Sequence, residues 1–120
     1  MKILVVDDDP MILKIMELKL KSLNYNVIVA DNAIYAMKLI NEYDVNLVIT
    51  DILMSNMSGV ELLRHIKGLK DRKIHVIILS TLGQEDIVLE AFGIGADDYI
   101  TKPFSPNVLA ARVKRFEAVS

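Results

Sequence analysis

ILVVDDDP, residues 3–10, is an aliphatic run that ends abruptly on three carboxylates and a proline. Short runs rich in β-branched residues and bounded by polar ones fit strands covered on both faces of a parallel sheet. Pro10 suits the first turn of a following helix, where its missing N–H costs little. Three further runs are built alike. NLVIT (46–50) is followed by Asp51, HVIIL (75–79) by Ser80, and DDYIT (97–101) by Lys102 and Pro103. Open α/β sheets bind ligands at the carboxyl ends of their strands. Laid side by side, these ends bring three carboxylates (Asp7, Asp8, Asp51), a hydroxyl (Ser80) and an ammonium (Lys102) to one crevice. Clustered carboxylates need a hard cation to stay ionised together, and a nearby lysine suits a phosphoryl group.

Outward from these runs, strand-like and helix-like segments alternate five times. The pattern predicts strands over 3–6, 27–30, 47–50, 74–79 and 98–101. It predicts helices over 10–23, 32–42, 59–67, 84–92 and from 105 to 115 or beyond. Ile12, Met16, Leu20 and Leu23 form the apolar stripe of the first helix. Ala33, Ala36, Met37 and Ile40 form that of the second, and Val60, Leu63 and Ile66 that of the third. Gly93-Ile94-Gly95 would end the fourth. Five βα units with right-handed crossovers make an α/β protein with an open three-layer sheet. Among doubly wound folds, the flavodoxin-like (βα)5 order 2-1-3-4-5 places strands 1, 3 and 4 centrally, where the acids and Ser80 lie. No linker or low-complexity tract interrupts residues 1–120, so a single domain is expected.

Composition narrows the function classes. The chain is 52% apolar and 25% charged with a net charge of −2, so no broad basic field invites nucleic acid. It has no cysteine, hence no disulfide and no thiolate metal site, which fits a reducing cytoplasm. No apolar run approaches the roughly 18 residues of a spanning helix. The opening MKILVVDDDP lacks the cleavage region of a signal peptide.

Asp7-Asp8-Asp9 could simply cap a helix, since Asp is a favoured N-cap. Capping suits Asp9 and accounts in part for Asp8, but it does not account for Asp51 and Lys102. Mg²⁺ fits the acids better: it takes a few carboxylates, keeps several waters and leaves positions for phosphate oxygens. A cis bond before Pro103 would turn Lys102 inward; the sequence does not say which isomer is present. His65 and His75 stand alone and read as surface or core residues. Gly59 reads as a helix opener in a tight loop, with no chemistry of its own.

Taken together, VVDDD, Asp51-Ile-Leu-Met…Met57-Ser-Gly59, Ile78-Leu-Ser80 and Gly95-Ala-Asp-Asp-Tyr-Ile-Thr-Lys102-Pro103-Phe104 resemble the receiver domain of two-component response regulators. The resemblance spans essentially the whole chain. It implies that Asp51 accepts a phosphoryl group from the phosphohistidine of a histidine kinase or phosphotransfer protein. It implies Mg²⁺ held by Asp8, Asp51 and the backbone carbonyl of Leu53, with Asp7 acting through a water. Lys102 and Ser80 would assist transfer, and Ser80 and Tyr99 would form a switch in which Tyr99 turns inward. Such a chain is a cytoplasmic signalling phosphoacceptor that catalyses its own phosphorylation and dephosphorylation, rather than a turnover enzyme. The DDYITKPFSP stretch most resembles receivers that precede a winged-helix DNA-binding domain. The chain would then be a stand-alone receiver or part of a longer regulator, with no nucleic-acid contact of its own.

The family usually has proline where Ser55 stands, a small residue in place of Thr81, and often polar residues in place of Leu53 or Leu82. Crowding by Thr81, Leu53 and Leu82 predicts a long-lived phosphoryl group. In the fourth helix, Ile87, Ala91 and Ile94 form one apolar stripe and Val88, Leu89 and Phe92 another. The resemblance makes Leu89 and Phe92 the buried pair and leaves Ile87, Val88, Ala91 and Ile94 at least partly exposed. A homodimer through the fourth helix, fifth strand and fifth helix is expected, with Val88 and Val108 in place of one ion pair. Asp97, Asp98 and Arg112 supply another. Two other classes are disfavoured. Phosphatases of the haloacid dehalogenase type resemble D-x-D-x-T, but Ile52 and Leu53 follow Asp51. Flavodoxin-type flavin binding calls for a Ser/Thr/Gly loop where three aspartates stand.

Overall fold

Strand β1 (Lys2–Val6) lies between β2 (Asn26–Ala30) and β3 (Leu47–Asp51), and β4 (His75–Ser80) and β5 (Asp98–Thr101) extend the sheet beyond β3. The computed structural model describes residues 1–54 and 57–117. All strands run parallel in the order β2-β1-β3-β4-β5, as the sequence predicts. Helices α1 (Pro10–Ser22), α2 (Ala33–Glu42), α3 (Gly59–Lys67), α4 (Glu85–Ile94) and α5 (Pro106–Glu117) make the crossovers. The register aligns Val6 with Thr50, Asp51 with Leu79, and Ser80 with Thr101, so the polar strand ends share one edge.

Side-chain alternation divides the core in two. Leu4, Val6, Val48 and Ile78 face α2, α3 and α4, where Ile40, Leu63 and Ala91 meet them. Ile3, Val5, Ile49 and Ile77 face α1 and α5 and pack on Met16, Leu20, Leu109 and Val113. Each large aliphatic side chain buried in this way contributes about 1.5–3 kcal/mol.

Local chemistry sets the helix starts. Asp9 caps α1 by accepting from the Met11 amide at 2.9 Å, as expected, and Asn32 caps α2 through the Tyr35 amide. Ser58 caps α3 through the Glu61 amide, and Pro10 occupies the first turn of α1. Leu23, assigned by pattern to the α1 stripe, is the exposed C-cap residue.

Helix α4 corrects the sequence reading. Val88 (8% exposed) and Ala91 face the core, whereas Leu89 (69% exposed) and Phe92 face solvent. Ile87 and Ile94 pack partly against the same core. The helix also runs two residues past Phe92, to Ile94, and ends at Gly95 with φ +132°. Its rotation is fixed at that end. Ala96 is buried, and Asp97 next to it binds the Val76 amide and Lys67. Neither tie leaves a trace in apolar spacing.

Candidate functional site

The carboxyl edge of the sheet gathers the predicted residues. Asp7 follows β1 and is fully buried; Asp51 ends β3 and is half-buried; Asp8 is exposed at the rim. Carboxylate oxygens of all three lie within 4.8 Å of one another. Lys102, just past β5, places its ammonium 2.8 Å from Asp7 Oδ2 and 3.1 Å from Asp51 Oδ2. The Lys102–Pro103 bond is cis.

Hydrogen bonds hold the acids in place. The Asp9 amide donates to Asp7 Oδ1 at 2.9 Å, and the Leu53 amide reaches Asp51 Oδ1 at 3.4 Å. Asp7 Oδ2 is different. It is buried, and its near partner is the Lys102 ammonium at 2.8 Å, an ion pair rather than a well-directed hydrogen bond. The same ammonium serves Asp51, so one positive charge faces three clustered carboxylates and a further cation suits the site. An all-oxygen set of three carboxylates, one of them at the rim, fits Mg²⁺, which binds through a few carboxylates and keeps waters.

The electrostatics suit a cation site. Burial is the largest influence on Asp51 and pushes its carboxyl above the usual range; Lys102 pulls it part of the way back, and the charge on Asp7 adds to the rise. Burial works against the charged form of Lys102, but the two carboxylates outweigh it and hold the ammonium above its ordinary value.

Ser80 is buried at the end of β4, and its carbonyl accepts the Lys102 amide at 2.6 Å. A groove of about 410 Å³ opens beside it, lined in part by Thr81, Val88, Phe92 and Tyr99. Tyr99 is on the outside, 42% exposed, with its ring edge-on to Phe92 at 5.9 Å between centroids. Leu82 is 85% exposed on the groove beside Ser80, while Leu53 sits at the rim of the acids. Ser55 lies outside the described residues. His75 pairs with Asp97 and meets the Phe116 ring at a tilt at the opposite edge, and His65 belongs to α3, so neither histidine joins the site.

Sequence reasoning missed Thr50 and did not foresee how closely Gly59 approaches Asp51. Thr50 is fully buried and its hydroxyl donates to the Asp51 carbonyl at 3.0 Å. A Cβ on Gly59 would lie 2.0 Å from that same carbonyl oxygen. The signal for Thr50 was a hydroxyl inside an otherwise aliphatic run; Gly59 opens α3 as the sequence predicts, but nothing in the sequence pointed to its contact with the Asp51 carbonyl.

Comparison with known proteins settles the family. The model of the response regulator receiver domain matches residues 3–114. The chain belongs to the response regulator receiver family. This receiver is 38% identical to the nisin biosynthesis regulatory protein NisR of Lactococcus lactis subsp. lactis, over 94% of the chain and 48% of that protein. It is 37% identical to the phosphate regulon transcriptional regulatory protein PhoB of Pseudomonas aeruginosa, over 93% of the chain and 49% of that protein. The receiver thus spans about half the length of the curated relatives it matches. Among solved structures, the receiver domain of NtrX from Brucella abortus superposes with a TM-score of 0.90 at 31% identity, covering 98% of this chain and 99% of that one. The BeF3-activated DrrB receiver domain superposes at 0.85 with 41% identity, covering 98% and 97%. Receivers of response regulators are signalling modules. Among the described residues of this one, no helix is long and apolar enough to cross a membrane.

Proposed function

We propose that residues 1–120 form one receiver unit that takes a phosphoryl group onto Asp51 from the phosphohistidine of a histidine kinase or phosphotransfer protein. The observation that carries this reading is the Asp51 carboxylate itself, half-buried at the sheet edge between two further acids and the Lys102 ammonium. An Asp51 oxygen attacks phosphorus, the N–P bond breaks as the O–P bond forms, and the imidazole leaves. Phosphoryl transfer depends mainly on positioning and on stabilising charge at the equatorial oxygens. Lys102 supplies one such charge, and the Ser80 hydroxyl a hydrogen bond. Asp8, Asp51 and the Leu53 carbonyl would hold Mg²⁺ directly and Asp7 through a water; when bound, the ion neutralises charge on the transferred group.

Signal output follows from contacts that exist only with phosphate present. Ser80 turns to the phosphoryl group, and Tyr99 leaves Phe92 for the groove beside Ser80. The α4–β5–α5 face changes and acts on an output domain or partner, in the cytoplasm and without touching nucleic acid itself. That face presents Leu89, Phe92 and Val108 as exposed apolar side chains, suited to a phosphorylation-favoured homodimer. Val88, buried, is not part of it; Asp98 already pairs with Arg112 and Arg115 inside the chain.

Incubation with Mg²⁺ and a small acyl phosphate tests the reading by intact mass. The parent should gain one phosphoryl group and Asp51→Asn none. An unchanged parent, or full labelling of Asp51→Asn, would overturn it.

A further inference from the structure

The peptide that follows Asp51 is held from every side. Thr50 lies on the face of β3 shared with Val48, and its buried hydroxyl donates to the Asp51 carbonyl at 3.0 Å. The Ile52 amide donates to the Leu79 carbonyl of β4 at 3.0 Å. The Ile52 carbonyl accepts the Gly59 amide at 2.9 Å. Gly59 itself lies so close that a Cβ would fall 2.0 Å from the Asp51 oxygen, 2.8 Å from the Ile52 α-carbon and 3.0 Å from the Asp51 carbonyl carbon. Those obstacles are backbone atoms, which cannot swing aside as a side chain would. The first turn of α3 therefore rests directly on the phosphoacceptor's own peptide.

The carbonyls of Asp51 and Ile52 each accept a hydrogen bond, from Thr50 and Gly59, and Leu53, whose carbonyl the proposed function assigns to the metal, follows directly on this held peptide. We infer that Thr50 and Gly59 are positioning residues of the acidic site: they fix the Asp51–Ile52 peptide, and through it set the Asp51 carboxylate and the Leu53 carbonyl for metal. The inference rests on the proposed reading that Asp51 and Leu53 hold Mg²⁺. Neither residue touches the ion or the phosphoryl group. Groups that orient metal ligands from behind are worth ~10–100-fold in metal affinity.

The experiment is a Mg²⁺ titration followed by backbone amide shifts, on the parent, Thr50→Val, Thr50→Ser and Gly59→Ala. Thermal unfolding of each variant without metal is recorded alongside. Thr50→Val keeps the shape and loses the donor, so Mg²⁺ affinity should fall about tenfold. Thr50→Ser keeps the donor and should restore it. Gly59→Ala should weaken Mg²⁺ binding at least as much. If Gly59→Ala fails to fold, the Thr50 pair decides alone. A merely structural role would lower the unfolding temperature of Thr50→Val and Thr50→Ser in step with affinity. The discriminating result is a Thr50→Ser variant no more stable than Thr50→Val that nevertheless binds like the parent. Folded Thr50→Val with Mg²⁺ affinity within about twofold of the parent, well short of the loss a positioning role entails, would overturn the inference. Binding is read without phosphate, so a parent that binds Mg²⁺ but accepts no phosphoryl group sinks the functional reading and leaves this one to the titration.

Discussion

Lys102 crosses the end of β4 to reach Asp51, donating to its Oδ2 at 3.1 Å from the far side of the strand that separates them. The same ammonium lies 2.8 Å from the fully buried Asp7. Removing it leaves two adjacent carboxylates facing each other. Lys102→Met is therefore expected to cost about 3 kcal/mol in the metal-free protein at neutral pH, the usual penalty for stripping one partner from a buried pair. Chemical denaturation measures it, and an unchanged midpoint would contradict the electrostatic account.

Asp51 gives a pH dependence of definite sign. Its carboxyl is raised chiefly by burial. A raised carboxyl contributes stability that is complete below the unfolded-state value and is lost as pH rises through the folded-state one. Ionised Asp51 therefore works against the fold at neutral pH. Metal-free Asp51→Asn should melt higher than the parent at pH 7 and show no gain below about pH 3. Mg²⁺ should then stabilise the parent more than the variant. A parent that melts higher than Asp51→Asn without metal at pH 7 would be the wrong sign.

Asp97 behaves in the opposite sense. Burial alone would push it up, but the Val76 amide at 2.8 Å, Lys67 at 3.0 Å and His75 outweigh it and bring the carboxyl down. A lowered carboxyl gives stability that is present above the unfolded-state value and lost as pH falls through the folded-state one. Asp97→Asn should cost about 1–2 kcal/mol at pH 7 and progressively less below about pH 4. Urea midpoints across that range check the trend.

Helix α4 separates folding from association at neighbouring positions. Val88→Lys forces a charge into the core and should cost about 2–4 kcal/mol. Leu89→Lys, on the exposed side, should change stability by no more than about 0.5 kcal/mol. Sedimentation of the phosphorylated protein should show Leu89→Lys shifted toward monomer. A phosphorylated dimer indifferent to Leu89→Lys would remove this face from consideration.

The lifetime of the phosphoryl group depends on what shades Asp51. Leu53, Thr81 and Leu82 are all exposed, and Leu53, whose amide reaches Asp51 Oδ1, and Thr81, next to Ser80, are the two to test as obstacles to the attacking water. Leu53→Ala and Thr81→Ala should each speed loss of the phosphoryl group, measured by intact mass over time. Decay no faster than the parent's in both would dismiss crowding as the cause.

The strands and their polar ends were legible because a short aliphatic run broken by a sudden charge fits little besides a buried strand that stops at a polar edge. Asp7, Asp8, Asp51, Ser80 and Lys102 therefore stood out in the sequence. Helix α4 was misread because apolar residues surround it, so spacing gave two candidate faces; the tie from Asp97 to β4, which fixes its rotation, is tertiary. Thr50, and the contact that Gly59 makes, were missed for a related reason. Their importance lies in distances to the Asp51 carbonyl, between residues whose types alone promise nothing.

Phe92 and Tyr99 shelter one another at the surface. A tyrosine ring that departs for the groove beside Ser80 takes that shelter with it and leaves Phe92 facing water. On the proposed switch, adhesiveness would arise in the rotation that reports the covalent mark, with no second element needed to uncover it. A neighbour that covers Phe92 would make the return of Tyr99 harder, so the bound partner would itself act as a latch on the switched form.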